Sequence, residues 1–311
     1  MPTLFIENPL ASQHRTPPGH PEQVARGAAV AAALLAPGFD ALLREEAEEG
    51  READILRCHP EAYLDKIKSA SPPVGSVALD PDTHMSPGSL AAAMKGVGAM
   101  RQAVAAVLEG RARNVFVSSR PPGHHAEADR AMGFCLFGNI AIAAKIALEE
   151  FGLSRVAVVD FDVHHGNGTQ DLLWDEDRAL FISSHQMPLY PGTGVPSERG
   201  AYDNVVNLPL APDSDGRVLR RLYEEEVFPR LAAWNPELIL ISAGFDAHQD
   251  DPLAQLNWST DDFAWLTKSI CRQAAELCDG RVVSTLEGGY DLDALGASVA
   301  AHVIELMEQS G

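Results

Sequence analysis

Residues 158–168 read Val-Val-Asp-Phe-Asp-Val-His-His-Gly-Asn-Gly, and this stretch predicts the end of a buried strand. Side chains alternate between the two faces of an extended segment, so Asp160, Asp162 and His164 should point the same way. Two carboxylates and one imidazole on one face can hold a metal ion. The alternative is a capped strand end with solvated acids. Placing three ionisable groups between apolar runs without a cation is costly, which favours the metal site.

Apolar runs typical of buried strands recur along the chain, at residues 4–6, 114–117, 155–160, 179–183, 205–208, 237–242 and 281–286. Helical patterns lie between and around them, at residues 22–35, 61–69, 89–108, 139–151, 216–233, 261–278 and 292–307. Residues 41–51 are predicted to be a charged helical or surface segment. Continuous apolar strands separated by helices predict an α/β fold, an open parallel sheet with helices on both faces. Without an internal repeat or a linker, residues 1–311 are predicted to form a single domain.

The composition excludes some classes of function. The 311 residues include 24 Lys and Arg against 44 Asp and Glu, a formal charge of −20. Such a surface repels nucleic acid and anionic membranes and mildly favours cationic substrates. The four cysteines have no metal-ligand spacing, which indicates a reducing compartment. No apolar run approaches the ~18 residues of a membrane span, and the start lacks a basic signal region, so we expect a cytoplasmic protein.

Polar residues follow the carboxyl ends of five predicted strands: His124-His125, residues 160–165, His185, Asp246 and Tyr290. Open α/β sheets place their ligand crevice outside the carboxyl ends of the strands. The pattern therefore predicts one site at this edge, assembled from segments that are far apart in the chain.

Four motifs resemble those of the zinc-dependent histone deacetylase family: Arg120-Pro-Pro-Gly-His-His-Ala126, Asp160-Phe-Asp-Val-His-His-Gly-Asn-Gly168, Ser242-Ala-Gly-Phe-Asp246 and Leu286-Glu-Gly-Gly-Tyr290. They occur in family order, and Asn167 and Leu-Glu-Gly-Gly-Tyr resemble the class II branch. The superfamily also contains acetylpolyamine amidohydrolases and acetoin-utilisation proteins. The resemblance implies a single arginase-like α/β domain, in agreement with the strand and helix pattern.

The resemblance also implies a metal site of one zinc ion per chain, held by Asp162, His164 and Asp246. Three protein ligands leave positions open for water and a substrate carbonyl, as catalysis requires. Because two carboxylates and one imidazole make a fairly hard donor set, Fe(II) or Co(II) could replace zinc.

Catalytic roles follow from the same resemblance. His125 would be the general base that deprotonates the attacking water and then protonates the leaving amine, with Asn167 as its orienting partner. His124 would be closer to imidazolium, with Asp160 as its partner. Because an amide supplies no negative charge, His125 should be less basic than His124. The phenol of Tyr290 would donate a hydrogen bond to the carbonyl oxygen as it gains charge.

Substrate contacts are predicted less directly. Phe134 and Tyr190 resemble tunnel walls that grip an aliphatic stem, with an ordinary core role as the alternative. Asp82 could orient a substrate backbone, although it could also be a solvated loop acid. The full set of predicted substrate residues is Phe134, Tyr190, Gly133, Leu253, Asp82 and Gly289. Positions that bind a structural potassium ion in relatives are matched by Asp160, Asp162, His164, Ser183 and Ser184.

The leading hypothesis is hydrolytic removal of acetyl or acyl groups from lysine in a protein or peptide. Leu253 resembles the leucine of protein-lysine deacetylases, but Asp250 and Asp251 keep open an acetylated polyamine or another small acetylated amine. A non-catalytic acyl-lysine binder is a further alternative, and an arginase-like ureohydrolase with two manganese ions would need additional ligand motifs. The oligomeric state is not predicted by the sequence.

Overall fold

A parallel sheet forms the centre of the protein in a computed structural model that describes residues 1–309. Its strands are β1 (Thr3–Glu7), β2 (Leu43–Glu46), β5 (Asn114–Ser118), β6 (Val156–Asp160), β7 (Ala179–Gln186), β8 (Val205–Leu210), β9 (Leu238–Ala243) and β10 (Val282–Leu286). Within residues 1–309 the eight strands have the order β2-β1-β5-β10-β9-β6-β7-β8, and all neighbours are parallel. Two short strands, β3 (Val77–Ala78) and β4 (His84–Met85), form a separate antiparallel pair.

Helices connect the strands: α1 (Ala25–Leu34), α2 (Glu52–Ile55), α3 (Glu61–Ala70), α4 (Ser89–Leu108), α5 (Asn139–Glu149), α6 (Asn167–Leu173), α7 (Gly216–Leu222), α8 (Phe228–Trp234), α9 (Thr260–Leu277) and α10 (Leu292–Glu308). A π turn at Tyr223–Val227 joins α7 to α8, and a 3-10 turn lies at Ala11–Gln13. No helix within residues 1–309 combines the length and the apolar character that a membrane crossing requires.

The sheet separates two apolar cores. In β6, Val156 and Val158 pack into one core, whereas Ala157 and Val159 pack into the other, because alternate side chains leave opposite faces. Helices α3, α4 and α5 cover the first face, and α1 and α7–α10 cover the second. A strand buried on both faces must be apolar throughout, which is why these strands read as continuous runs. The predicted α/β class, with an open parallel sheet and helices on both faces, is confirmed.

One element differs from its prediction. Within residues 41–51 the helical alternative is wrong, because Leu43–Glu46 form β2 and pair with β1, with Leu4 opposite Leu43. The segment carries charged residues because an edge strand leaves much of its surface in solvent, where charges also discourage further strand pairing. Residues 43–46 form a strand because they pair with the edge of β1, and the local sequence does not show this pairing. The predicted domain, 1–311, extends two residues beyond the described residues, and its unity stays a prediction.

Candidate active site

Three buried side chains with metal-ligand chemistry meet at the carboxyl edge of the sheet. Asp162 and His164 follow β6, and Asp246 follows β9, the strand beside β6. One ligand atom from each residue lies within 4.8 Å of the other two. His164 Nδ1 lies 3.1 Å from both Asp162 Oδ1 and Asp246 Oδ2. The three donors named from the sequence therefore converge on one point, and they are the one such cluster within residues 1–309.

The surroundings of these donors fit a divalent cation. Burial raises the pKa of Asp246, and the nearby charge of Asp162 raises it further, so a cation between the two carboxylates would offset their mutual repulsion. Backbone amides hold the outer oxygens, since Gly288 N donates to Asp162 Oδ2 at 2.8 Å and Val163 N donates to Asp246 Oδ1 at 3.0 Å. Residue 288 must be glycine because a Cβ there would lie 2.1 Å from Asp246 Oδ2. This donor set suits zinc or a related divalent ion.

Two adjacent histidines differ in partner and in pKa. His124 Nδ1 lies 3.0 Å from Asp160 Oδ2, whereas His125 Nδ1 lies 2.7 Å from Asn167 Oδ1. Burial lowers the pKa of His124, but the charges of Asp162 and Asp160 outweigh it and raise the pKa well above its usual value. Burial also lowers the pKa of His125, and the charge of His124 lowers it further. His125 is therefore less basic than His124, as was predicted from the amide partner of His125 and the carboxylate partner of His124.

Tyr290 borders the site from the loop that follows β10. Asp251 Oδ2 accepts a hydrogen bond from Tyr290 N at 2.7 Å, and the guanidinium of Arg26 lies 4.9 Å from the centre of the Tyr290 ring. Burial raises the pKa of the phenol well above its usual value, and the charge of Asp246 contributes in the same direction. The hydroxyl therefore stays protonated and can donate a hydrogen bond.

A cavity of about 240 Å³ connects these groups with the predicted tunnel walls. Its lining residues are Asp82, His125, Gly133, Phe134, His164, Leu189, Tyr190, Leu253 and Tyr290. The Tyr190 ring lies 5.2 Å from the His125 ring, and the Phe134 ring lies 5.8 Å from the Tyr290 ring, measured between centres. Tyr190 is 37% exposed, so the cavity reaches the surface beside it. Leu189 is a lining residue that the sequence did not single out.

The backbone at the Phe134 wall is held in an unusual conformation. Phe134 has a φ of +70°, and its backbone N donates to Thr83 Oγ1 at 3.0 Å. The ring of His20 lies 4.7 Å from the Phe134 ring, and one His20 nitrogen, Nε2, is 2.8 Å from Asp82 O. The loops that carry Asp82 and His20 thus support the wall from outside.

Gly289, a predicted substrate residue, does not line this cavity as far as the described residues show. Its φ is +123°, a conformation that favours glycine. Gly289 O accepts a hydrogen bond from Arg26 Nε at 2.6 Å, so this carbonyl faces α1. Gly289 therefore shapes the turn before Tyr290 instead of contacting the cavity.

The residues predicted for potassium lie along β6 and β7 and the loop after β6. Asp160 and Ser183 are paired residues of these neighbouring strands. Ser183 Oγ lies 2.9 Å from His185 Nδ1, and Ser184 Oγ lies 2.9 Å from Tyr223 OH. Because both serine hydroxyls have side-chain partners, a cation here would depend mainly on Asp160 and backbone carbonyls. Potassium binding stays a prediction.

Two carboxylates that the sequence did not single out support the histidines. Glu287 Oε2 accepts hydrogen bonds from Gly123 N at 2.7 Å and His124 N at 3.2 Å, and burial raises the pKa of Glu287 to about 7. Glu127 Oε1 accepts from Asn167 Nδ2 at 2.7 Å. Glu287 lies within a quoted motif and Glu127 lies just after the histidine pair, but sequence spacing does not show which groups they contact.

A family comparison agrees with this geometry. The family model described as the histone deacetylase domain matches residues 20–306. The chain belongs to the histone deacetylase family. The resemblance drawn from the four motifs is thereby confirmed. The cavity, with His164 in its lining and Asp162 and Asp246 beside His164, is the candidate active site of a histone deacetylase family member.

Relatives of this family member match over most of the chain. An uncharacterized protein of Synechocystis is 44% identical over 291 residues, which cover 92% of this chain and 93% of that protein. A histone deacetylase-like amidohydrolase of Pseudomonas aeruginosa is 38% identical over 278 residues, covering 88% and 73%. The crystal structure of the HDA15 HD domain, 31% identical, superposes with a TM-score of 0.93 and covers 99% of this chain and 89% of that one. The arginase/deacetylase-like fold is confirmed.

Proposed function

We propose that this chain is a zinc-dependent deacetylase that hydrolyses the acyl amide on the ε-nitrogen of lysine in peptides or proteins. The observation that carries the proposal is the cavity that places His125, Tyr290 and His164 beneath aromatic and leucine walls. An acyl-lysine side chain is an unbranched apolar stem that ends in an amide. Such a stem fits a cavity with mostly apolar walls and a few polar groups at its base.

Asp162, His164 and Asp246 would hold the metal ion. When bound, zinc supplies Lewis acidity, which polarises an amide carbonyl and lowers the pKa of a water molecule toward ~7. A single three-residue cluster within residues 1–309 supports a hydrolase with one ion over an arginase-like enzyme with two.

His125 would carry the acid–base chemistry. Its Nδ1 is engaged by Asn167, so Nε2 can take a proton from the attacking water. The same nitrogen then gives this proton to the departing ε-amine, and His125 returns to its neutral form. His124, whose Nδ1 lies 3.0 Å from Asp160 Oδ2, would stabilise the negative charge that develops nearby.

Tyr290 would stabilise the charge that develops on the amide oxygen. Its raised pKa keeps the hydroxyl protonated, and a donor fixed in a buried site stabilises an oxyanion more than it would in water. The Phe134 ring, 5.8 Å from the Tyr290 ring, limits access of bulk water from one side.

Asp250 and Asp251, the two carboxylates near Leu253 that could select a cationic polyamine, do not line the cavity. Asp251 is 7% exposed, and its carboxylate accepts hydrogen bonds from Leu253 N at 2.9 Å and Tyr290 N at 2.7 Å. The exposed Asp250 lies beside His248, with 3.5 Å between Asp250 Oδ2 and His248 Nδ1. Leu253 lines the cavity at this point instead. An apolar wall supports acyl-lysine over acetylpolyamine.

Asp82 favours a second candidate substrate, an acetylated polyamine. This half-buried residue belongs to the cavity lining, where a carboxylate could pair with an ammonium group remote from the amide. The formal charge of −20 suits either kind of cationic substrate.

Acetate release separates these candidates. The zinc-loaded chain is given an acetyl-lysine peptide and an acetylpolyamine, and we expect kcat/KM to favour the peptide by about tenfold or more. Asp162→Ala should abolish turnover of both substrates. Leu253→Glu, which places a carboxylate on the wall, should shift the preference toward the polyamine. A polyamine preference in the unaltered chain supports the second candidate, and peptide binding without acetate release supports a non-catalytic binder.

A further inference from the structure

A chain of hydrogen bonds runs outward from His125. His125 Nδ1 lies 2.7 Å from Asn167 Oδ1, and Asn167 Nδ2 donates to Glu127 Oε1, also at 2.7 Å. Asn167 is the first residue of α6 and is buried, whereas Glu127 is half-buried in the loop after the histidine pair. The amide of Asn167 thus lies between the proposed general base and a carboxylate.

The chemistry of the two outer groups determines how the amide is turned. A side-chain amide donates from its nitrogen and accepts at its oxygen, whereas an ionised carboxylate can only accept. Glu127 therefore requires the NH₂ of Asn167 on its own side, which leaves the oxygen facing His125. An oxygen in that position accepts from Nδ1–H, so the neutral ring carries its proton on Nδ1 and has a free lone pair on Nε2.

The other acceptors near Asn167 Nδ2 are weaker. His125 O lies at 3.5 Å and Met132 Sδ at 3.4 Å from this nitrogen. The first distance is long for a hydrogen bond, and a thioether sulfur is a weak acceptor. Without Glu127, the side-chain amide of Asn167 could turn by about 180° and would lose only these two weak interactions of its NH₂ group. It would then offer an N–H to Nδ1, which would place the ring proton on Nε2.

We propose that Glu127 is a positioning residue that sets the tautomer of His125 by orienting the amide of Asn167. The inference rests on the proposed function, in which Nε2 of His125 takes a proton from water. Glu127 itself does not line the cavity, so it acts only through Asn167.

A double-mutant cycle tests this role. Glu127→Leu removes the acceptor, and kcat/KM should fall by roughly 10- to 100-fold, a loss like that caused by removing a hydrogen-bond partner of a metal-ligating histidine. Asn167→Asp replaces the amide with a carboxylate, whose two oxygens both accept and need no orientation. In that background Glu127→Leu should cause no further loss. Equal losses in the two backgrounds would overturn the proposal, because they would show that Glu127 only holds its loop in place.

Glu127→Gln serves as the conservative variant. The glutamine carbonyl can accept the same hydrogen bond, so most of the activity lost in Glu127→Leu should return. Thermal unfolding of each variant shows whether it is folded. A folded Glu127→Gln variant that is as inactive as Glu127→Leu would contradict the orienting role.

The tautomer can be observed without turnover. In the zinc-loaded chain labelled with ¹⁵N-histidine, the His125 signals are identified by their loss in His125→Ala. The unaltered chain should show a protonated Nδ1, and Glu127→Leu should show protonation at Nε2. This readout separates the two proposals: a chain without deacetylase activity can still show the tautomer change, whereas protonation at Nε2 in the unaltered chain overturns the inference whatever the activity.

Discussion

Tyr290 is the residue whose contribution can be isolated most cleanly. Its ring packs near Phe134 and under Arg26, and these contacts do not involve the hydroxyl. Tyr290→Phe should therefore leave the melting temperature nearly unchanged. Loss of one oxyanion donor should lower kcat by about 10²- to 10³-fold with a small change in KM. Steady-state kinetics on an acetyl-lysine peptide measures both quantities, and an unaltered kcat would remove Tyr290 from the mechanism.

At this scale the sequence predicts residue types better than contacts. Asp162 and His164 stand in an alternating polar pattern in the sequence, so two of the three metal-ligand donors were visible locally, although β6 ends at Asp160 and both residues lie in the loop after it. Asp246 was located by motif resemblance, since spacing alone does not place a residue that is 82 positions from His164. The contact of Glu127 with Asn167 depends on how two loops pack, and no local pattern encodes it.

Among the structural elements, the loop after β9 is tied to the loop after β10 by the carboxylate of Asp251, in addition to the backbone hydrogen bond from Phe245 N to Gly288 O at 3.0 Å. Asp251 accepts hydrogen bonds from Leu253 N and Tyr290 N, so it holds a cavity wall and the backbone of the proposed oxyanion donor together.

Asp251→Ala should disturb both of these loops at once. The buried N–H of Tyr290 and the part-buried N–H of Leu253 lose their acceptor, which should lower the free energy of unfolding by about 1–3 kcal/mol. We expect kcat to fall and KM to rise, because the wall and Tyr290 both loosen. Asp250→Ala, at the exposed neighbour, is the matched control and should behave like the unaltered chain. Urea denaturation and peptide kinetics measure the two effects, and a variant with unaltered kcat and KM would contradict this role.

The strands were predictable from sequence where burial on two faces forces an apolar run, as in β6 and β9. Edge strand β2 was not predictable from sequence, because its exposed charges resemble those of a surface helix and its pairing partner lies about 40 residues earlier. Helix ends shifted by a few residues, for example at α1, which begins at Ala25 and not at residue 22. The ends depend on capping and on contacts with neighbouring loops.

For the molecule as a whole, buried neutral histidines link stability to pH. Burial lowers the pKa of His302 to about 3 and that of His59 to about 4 in the folded protein. In the unfolded chain both rings take up a proton near the usual pKa of about 6.5. Between these values the unfolded state binds more protons, so stability decreases as the pH falls below about 6.5. Each histidine contributes a slope of about 1.4 kcal/mol per pH unit.

His302→Gln should flatten this dependence. Glutamine can retain hydrogen bonds to Thr267 Oγ1 and Ser284 Oγ, which now lie 2.7 and 2.9 Å from the two ring nitrogens. Between pH 6 and pH 4 the free energy of unfolding should decrease by about 1.4 kcal/mol less per pH unit than in the unaltered chain. Urea denaturation over this range measures the slope, with His59→Gln as a second, independent case. Parallel curves for variant and unaltered chain would show that His302 is not neutral in the fold.

The position of β10 has a consequence for the order in which the protein can be built during synthesis. Strands β2, β1 and β5 form one part of the sheet, strands β9, β6, β7 and β8 form the other, and β10 lies between them. Until the ribosome has released residues 282–286, β5 and β9 each have an unpaired edge, and such edges favour aggregation. Strand β10, which joins the two parts of the sheet, ends at Leu286, and Tyr290 lies in the loop that follows it. A nascent chain would therefore acquire its proposed oxyanion donor only after the strand that makes the sheet continuous.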